Sequence, residues 1–334
     1  MKIGVIGGGS FGTSLAKLLA DSGHDVTLWI HNPEVAQSVT ERRENSVYLP
    51  GVPLPQNIVA TSAMEQAVRD AEVLLAVSPS HVMREVMQQA RGFVRGRPYV
   101  VTASKGVEEG SLKRMSEVLA DVFGSEFDDR IVALSGPSFA KEVAAGKPTA
   151  VTAAGPTLEA AQAVQQIFQA PTFRVYAGTD VIGVELGGSA KNVIAIAAGV
   201  SDGLGLGSSS RAALITRGVA EIVRLVEKMG GLAQTVSGLS GVGDLVLTCT
   251  GDLSRNRTVG LRMGRGETLN EVLAGMKMVA EGVRNSISVS AMAKRAGVEM
   301  PIAEQIRLML HEDKPALQVL GDLLRRQAKP EFYS

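Results

Sequence analysis

A short apolar run, Lys2–Ile6, breaks into Gly7, Gly9 and Gly12, in G-x-G-x-x-G spacing. A helical pattern over 13–20 follows, and 25–30 (DVTLWI) reads as the next strand. In such a unit the first glycine permits a tight turn, the second lets the backbone approach a pyrophosphate, and the third lets helix pack on strand. The free N–H groups and dipole at the helix start favour that anion. Alone the spacing says little. Between a strand and a helix it predicts a dinucleotide site, with a purely structural glycine turn as the alternative. A carboxylate that holds a free ribose 2′-hydroxyl is expected about 20 residues further on. His31 and Asn32 stand there instead, with no arginine to clamp a phosphate. Neither repels a 2′-phosphate, so NADP is expected to be accepted as well as NAD; His31 is otherwise a surface histidine.

Apolar strand patterns recur at 72–77, 99–103, 131–134, 149–153 and 173–176, with helical patterns at 81–90 and Leu158–Phe168. Strands alternating with helices predict an α/β fold: an N-terminal Rossmann-like doubly wound sheet, parallel or mostly so. Ligands bind beyond the C-terminal strand ends of such sheets. His81, Lys105 and Ser138 fall just there. Lys105, flanked by Ser104 and Gly106, can approach a ligand closely; otherwise it is a solvated loop lysine. The proline-rich segment 48–55 reads as an ordered loop, a rim or a lid. From Asp180 the strand pattern stops, and helices are expected at 184–200, 212–229, 256–263, 286–296, 303–310 and 316–326. Two domains follow: a dinucleotide-binding domain over 1–180 and a C-terminal all-helical substrate and catalytic domain over 181–334.

The first of these helices carries Lys191 and Asn192 inside an apolar run. A helix apolar all round is buried. Burial lowers a lysine pKa, which suits a general acid or base near neutrality. The alternative is a lysine that extends its amine along the helix into water. Asp244, among small and apolar residues in Gly241-Val242-Gly243-Asp244-Leu245, either orients Lys191 or caps a helix. Ser254 is a good N-cap, and Arg255 and Asn256 behind it would make a phosphate site at a helix start; an ordinary capped helix with surface arginines is the other reading. Glu281 follows a turn and reads as a first-turn helix carboxylate.

Lys+Arg and Asp+Glu both number 34, so no global field attracts nucleic acid. The four histidines and the single Cys249 show no zinc-ligand spacing. Ser135 and Ser138 lack the context of a nucleophile elbow. Neither a metal nor a covalent nucleophile is expected. No signal peptide and no run of 18 apolar residues is evident, so no membrane span is expected. One cysteine excludes an intrachain disulfide and suits a reducing compartment. A cytoplasmic enzyme is expected.

Together the segments GGGSFGTSLA (7–16), YLPG (48–51), SKG (104–106), SGPSFAKEV (135–143), ELGGSAKNVIAIAAGVSDGLGLG (185–207), GVGDLVLTCTG (241–251), SRNR (254–257) and VAEGV (279–283) resemble the bacterial NAD(P)-dependent glycerol-3-phosphate dehydrogenase family, in its order and over essentially the whole chain. Phe11 stands where many members have Trp, and Asn32 where many have Arg. The resemblance implies reversible hydride transfer between glycerol 3-phosphate and dihydroxyacetone phosphate, and a part in phospholipid synthesis. It implies Lys191 as proton donor and acceptor, Lys105 as a group that binds cofactor and polarises the carbonyl, and Asp244 as the residue orienting the lysine. It assigns Gly7, Gly9, Ser10, Phe11, Gly12, His31, Lys105, Ala140, Arg255, Val279 and Glu281 to the cofactor. It assigns Lys105, Gly136, Ser138, Lys191, Asn192, Asp244, Thr248, Ser254, Arg255 and Asn256 to the substrate. A homodimer is implied by the same analogy. A dehydrogenase of 3-hydroxy acids or ketopantoate would share the architecture without needing Ser254, Arg255 and Asn256 to read a phosphate. A cofactor-binding sensor without turnover would not need Lys105, Lys191 and Asp244 together.

Overall fold

The structure is a computed structural model that describes residues 1–276, 280–328 and 330–331. The strands are β1 (Lys2–Ile6), β2 (Asp25–Trp29), β3 (Ile58–Thr61), β4 (Val73–Ala76), β5 (Tyr99–Thr102), β6 (Ile131–Ser135), β7 (Thr149–Ala154) and β8 (Phe173–Gly178). They form one sheet in the order β3-β2-β1-β4-β5-β6-β7-β8. Every pairing is parallel except β6 with β7. The expected α/β architecture is therefore present. β3 escapes the sequence reading because it is four residues long and only its two ends are buried.

The order reverses at β1, which pairs with β2 on one side and β4 on the other. Ile6 lies opposite both Trp29 and Ala76, so the glycine turn leaves the sheet at a switch point between strand ends. That is where a doubly wound sheet binds its ligand. One face of the sheet buries Val5, Leu28, Leu75 and Val101. The other buries Ile6, Leu74 and Val100 against Met115 and Phe123. Both faces are covered, as a parallel sheet requires.

The helical C-terminal domain is built around Val181–Gly203, whose residues from Gly183 to Ser201 are all buried. By length and composition this helix could cross a membrane, but 89% of its most apolar window is packed inside the protein. It runs longer than the expected 184–200. The helices Gly207–Lys228, Arg255–Gly264, Glu281–Ala296, Pro301–His311 and Ala316–Leu324 match the remaining expectations with shifted ends. The short helices Ala233–Val236, Asp244–Thr250 and Leu269–Ala274 were not anticipated; none is long enough to display a 3.6-residue period.

Two glycines set how closely the core helix is approached. A Cβ on Gly199 would lie 2.1 Å from the carbonyl oxygen of Arg257, and one on Gly260 would lie 1.9 Å from that of Ile196. The helices Val181–Gly203 and Arg255–Gly264 therefore cross backbone to backbone. A second tie reaches the helix Met115–Phe123, which covers one face of the sheet. Buried Glu185 accepts from the guanidinium of Arg114 at 2.7 Å and from the backbone N–H of Ser116 at 2.8 Å, both near the start of helix Met115–Phe123.

Glycine to alanine inside a helix ordinarily gains about 1 kcal/mol of helix propensity. At Gly260 the sign reverses, because the added methyl must push two backbones apart. Gly260→Ala is expected to lose roughly 1–3 kcal/mol of stability, the usual range for overpacking. Urea unfolding measures it, and an unchanged or higher midpoint would contradict the close crossing.

Candidate active site

Three elements far apart in sequence deliver three charged side chains to one point. Lys105 follows β5. Lys191 sits mid-way along the core helix. Asp244 opens helix Asp244–Thr250, straight after a π-turn at Leu239–Gly243. Lys191 is 5% exposed and Asp244 1%. One carboxylate serves both lysines: Oδ1 accepts from the Lys191 ammonium and Oδ2 from that of Lys105, the latter at 2.7 Å. Lys191 also donates to Thr248 Oγ1 at 2.6 Å, and that hydroxyl donates to the Asp244 carbonyl at 2.6 Å. The reading of Lys191 as a lysine with its amine in water is overturned. Asp244 does not act as a side-chain helix cap; its oxygens go to the lysines.

Burial pushes the Lys191 pKa down to about 8, the charge of Lys105 adding to the fall and that of Asp244 opposing it. Burial alone would raise the Asp244 carboxyl, but the two neighbouring ammoniums outweigh it and hold it below its ordinary value. Burial raises the Glu281 carboxyl, against the pull of Arg255, Lys105 and Lys191. Burial also pushes the Cys249 thiol up to about 12, which leaves it protonated and inert.

Lys105 is held at its tip by a second acceptor, the Gly136 carbonyl at 3.1 Å, which also accepts from Ser138 Oγ at 2.9 Å. Gly136 has φ +149°, and a Cβ there would lie 2.8 Å from Val151 Cα. The Lys105 ammonium stands 5.7 Å from the centre of the Phe11 ring, a cation–π contact that links the cluster to the glycine turn.

The turn itself fits a nucleotide pyrophosphate. Gly7 has φ +131°, and a Cβ on Gly12 would lie 1.8 Å from the Gly7 carbonyl oxygen, so both must be glycine. Gly9 faces open space, with nothing within 4 Å of a Cβ built there. No side chain caps helix Ser10–Asp21. Ser10 Oγ donates to the Tyr48 carbonyl at 2.7 Å, so the 48–55 loop lies against the turn. Ala140 begins a short helix, Ala140–Ala144, after β6. His31 is exposed at the end of β2, with its ring edge-on to Trp29, and shares no hydrogen bond with the lysine cluster among the described residues. Asn32 Oδ1 caps helix Pro33–Arg42. Val279 lies outside the described residues.

On the helical side Ser254 caps Arg255–Gly264, as its sequence suggested, accepting from Arg257 N–H at 3.1 Å. Arg255 is exposed at that helix start. Asn256 is buried and occupied differently from expectation. It donates to Asn192 Oδ1 at 2.9 Å and accepts from Gly282 N–H at 2.9 Å. Its effect is to orient Asn192, whose buried Nδ2 has no partner among the described residues. This buried donor, on the residue after Lys191, is free to donate to a bound oxygen. Sequence reasoning missed Asn285, which joins the Lys105 loop to the core helix; its one signal is the spacing of a turn from Glu281, on the same face of a helix.

The chain matches known proteins over nearly all its length. The family model for the N-terminus of NAD-dependent glycerol-3-phosphate dehydrogenase covers residues 2–161, and that for the C-terminus covers 180–321. A glycerol-3-phosphate dehydrogenase [NAD(P)+] of Geobacter sp. (strain M21) is 52% identical over 99% of this chain and 98% of its own. The crystal structure of glycerol-3-phosphate dehydrogenase from Coxiella burnetii superposes with a TM-score of 0.93 at 39% identity, covering 97% of this chain and 99% of that one. The enzyme from Saccharomyces cerevisiae gives 0.82 at 26% identity, over 98% and 99% of the two chains.

Removing the shared carboxylate tests the electrostatics directly. Asp244 favours the Lys191 ammonium, whereas burial and Lys105 disfavour it. Asp244→Asn is therefore expected to move the Lys191 pKa below about 8, read from the Cε resonance in 13C-lysine-labelled protein. An upward move would show that the carboxylate does not govern this lysine.

Proposed function

The chain belongs to the NAD-dependent glycerol-3-phosphate dehydrogenase family, and on that premise we propose how its cleft performs the reaction. The enzyme interconverts sn-glycerol 3-phosphate and dihydroxyacetone phosphate with NAD or NADP. The observation that carries the residue assignments is the pair of ammoniums on one buried carboxylate at the strand ends.

The nicotinamide, when bound, supplies or accepts the hydride at C2 of the substrate. The chain's own residues do the rest. As negative charge develops on the ketone oxygen, Lys191 stabilises it and donates its proton there. Lys105 adds a second positive charge at the same place. Asp244 and Thr248 hold the Lys191 ammonium in one orientation; in the reverse direction the neutral amine takes the proton back. The unpaired Asn192 Nδ2 donates to a substrate oxygen, with Asn256 fixing its direction. Arg255, at the helix start capped by Ser254, receives the phosphate or the cofactor. Gly136 and Ser138 shape the wall where Lys105 is anchored. Gly7, Gly9 and Gly12 hold the pyrophosphate. Ser10, Phe11, His31, Ala140, Val279 and Glu281 complete the cofactor side. No carboxylate stands at the end of β2 to exclude a 2′-phosphate.

We further propose a division of the chain at 180/181, between β8 and the core helix, and a role supplying glycerol phosphate for phospholipids. A homodimer formed through the apolar helical part is the expected assembly. The one cysteine fits a reducing compartment, and the cytoplasm is the proposed location.

Three outcomes test this reading. NADPH oxidation followed by absorbance, with NADH in parallel, is expected with dihydroxyacetone phosphate and to be lost with unphosphorylated dihydroxyacetone; equal rates on the two ketones would remove the phosphate site. Lys191→Ala is expected to lower turnover by roughly a hundredfold to ten-thousandfold, the contribution of a general acid, while NADPH still quenches protein fluorescence; near-normal turnover would take Lys191 out of the mechanism. Ketone reduction needs the ammonium, so its rate should fall as pH rises through about 8, and alcohol oxidation should rise over the same range. Limbs running the other way would assign the proton to a different group.

A further inference from the structure

We infer that Asn285 is a positioning residue: its side-chain amide pins the main chain of Lys105 to the core helix and so sets where the Lys105 ammonium stands relative to Lys191. The inference rests on the roles proposed above for those two lysines.

Asn285 lies on helix Glu281–Ala296 and is 1% exposed. Its Nδ2 donates to the Lys105 carbonyl at 3.1 Å and to the Ser189 carbonyl at 3.3 Å. Ser189 is two residues before Lys191 on the core helix. One amide therefore bridges the loop after β5 and the helix that carries the proton donor. The contact is tight on its far side as well. A Cβ on Gly106 would lie 2.4 Å from Ser80 Oγ and 3.1 Å from Asn285 Oδ1, so only glycine lets the loop pack this closely against Ser80 and Asn285.

Lys105 is thereby fixed at both ends. Asn285 holds its carbonyl, and Asp244 with the Gly136 carbonyl holds its ammonium. With the first anchor gone, the side chain has to span to Asp244 from a backbone free to drift. Asn285 is not itself a catalytic residue, since it reaches the chemistry only through Lys105.

The pH dependence distinguishes this from a general packing role. The charged and titratable groups acting on Lys191 are Asp244, Lys105 and Glu281, with the Cys249 thiol nearby. Of these only Lys105 carries a charge that disfavours the Lys191 ammonium. Letting Lys105 drift away removes that repulsion, so Lys191 should titrate higher.

The test is a double-mutant cycle in the full-length enzyme with Asn285→Leu, neutral and of similar size, and Lys105→Met. Asn285→Leu is expected to lower kcat roughly ten- to hundredfold, as a misplacement of the order of 1 Å can, and to move the descending limb of the reduction profile upward. In the Lys105→Met background the same change is expected to cost little more, because both mutations remove one interaction. Equal losses in the two backgrounds, or an unmoved limb, would overturn the inference. Wild-type turnover of Lys105→Met alone would instead overturn the assignment of Lys105, and the inference with it. If Asn285→Leu does not fold, Gly106→Ala disturbs the same contact from the other side and runs the same cycle, with thermal melting as the check on folding.

Discussion

Everything about this site depends on one buried carboxylate placed between two ammoniums, that of Lys191 buried and that of Lys105 half-buried. Either lysine alone against Asp244 would be a neutral pair. Two lysines on the one Asp244 carboxylate leave that trio one positive charge in excess, with the Glu281 carboxyl beside it, in a place where charge is poorly solvated. Such an excess is costly, because burial penalises each charge and only good geometry offsets it. It is also what the chemistry calls for. An alkoxide forming beside the cluster is met by a field already aimed at it, with no solvent to reorganise. The lowered pKa of Lys191 is the same fact seen from the proton.

Building that arrangement takes the whole chain. The sheet brings Lys105 to a strand end and fixes the glycine turn beside it. The core helix carries Lys191 with main chain, not side chains, at its closest neighbour. The π-turn at Leu239–Gly243 delivers Asp244 to the side where both lysines can reach it. The buried Glu185, bound to Arg114 and Ser116, ties the helical part to helix Met115–Phe123 on the sheet, one helical turn before Ser189. Two of these links, Lys105 with Asp244 and Arg114 with Glu185, are ion pairs between the two halves of the molecule, so the halves cannot be displaced without leaving buried charge unpaired.

The parts of this that a reader of the sequence can see are those with a local signature. The glycine turn is legible because its spacing lies between a strand and a helix. Lys191 is legible because a lysine in an unbroken apolar run is anomalous, and Ser254 because helix caps are chemically distinctive. β3 and the short helices were not, since a few residues carry no period. The hold of Asn256 on Asn192 was not legible for a different reason. Its residue type and position suggest an anion ligand, but nothing local shows that its amide also donates to Asn192 and accepts from Gly282. Asn285 was invisible because its partners are 96 and 180 residues away, and nothing local marks a side chain whose meaning lies in such distant carbonyls.

The glycine crossing of the core helix with Arg255–Gly264 has a consequence for how substrate length is measured. Lys191 stands on one of these helices, and the Ser254-capped start with Arg255 stands on the other. Because the two touch through their backbones at Gly199 and Gly260, the span from the proposed proton donor to the proposed anion-binding end is graduated in peptide units, like marks cut into a rule. Repacking of side chains elsewhere in the helical core can soften the protein without changing that span. On the proposed roles, a shift of specificity to a longer or shorter phosphate ester would have to come from redrawing the main chain itself.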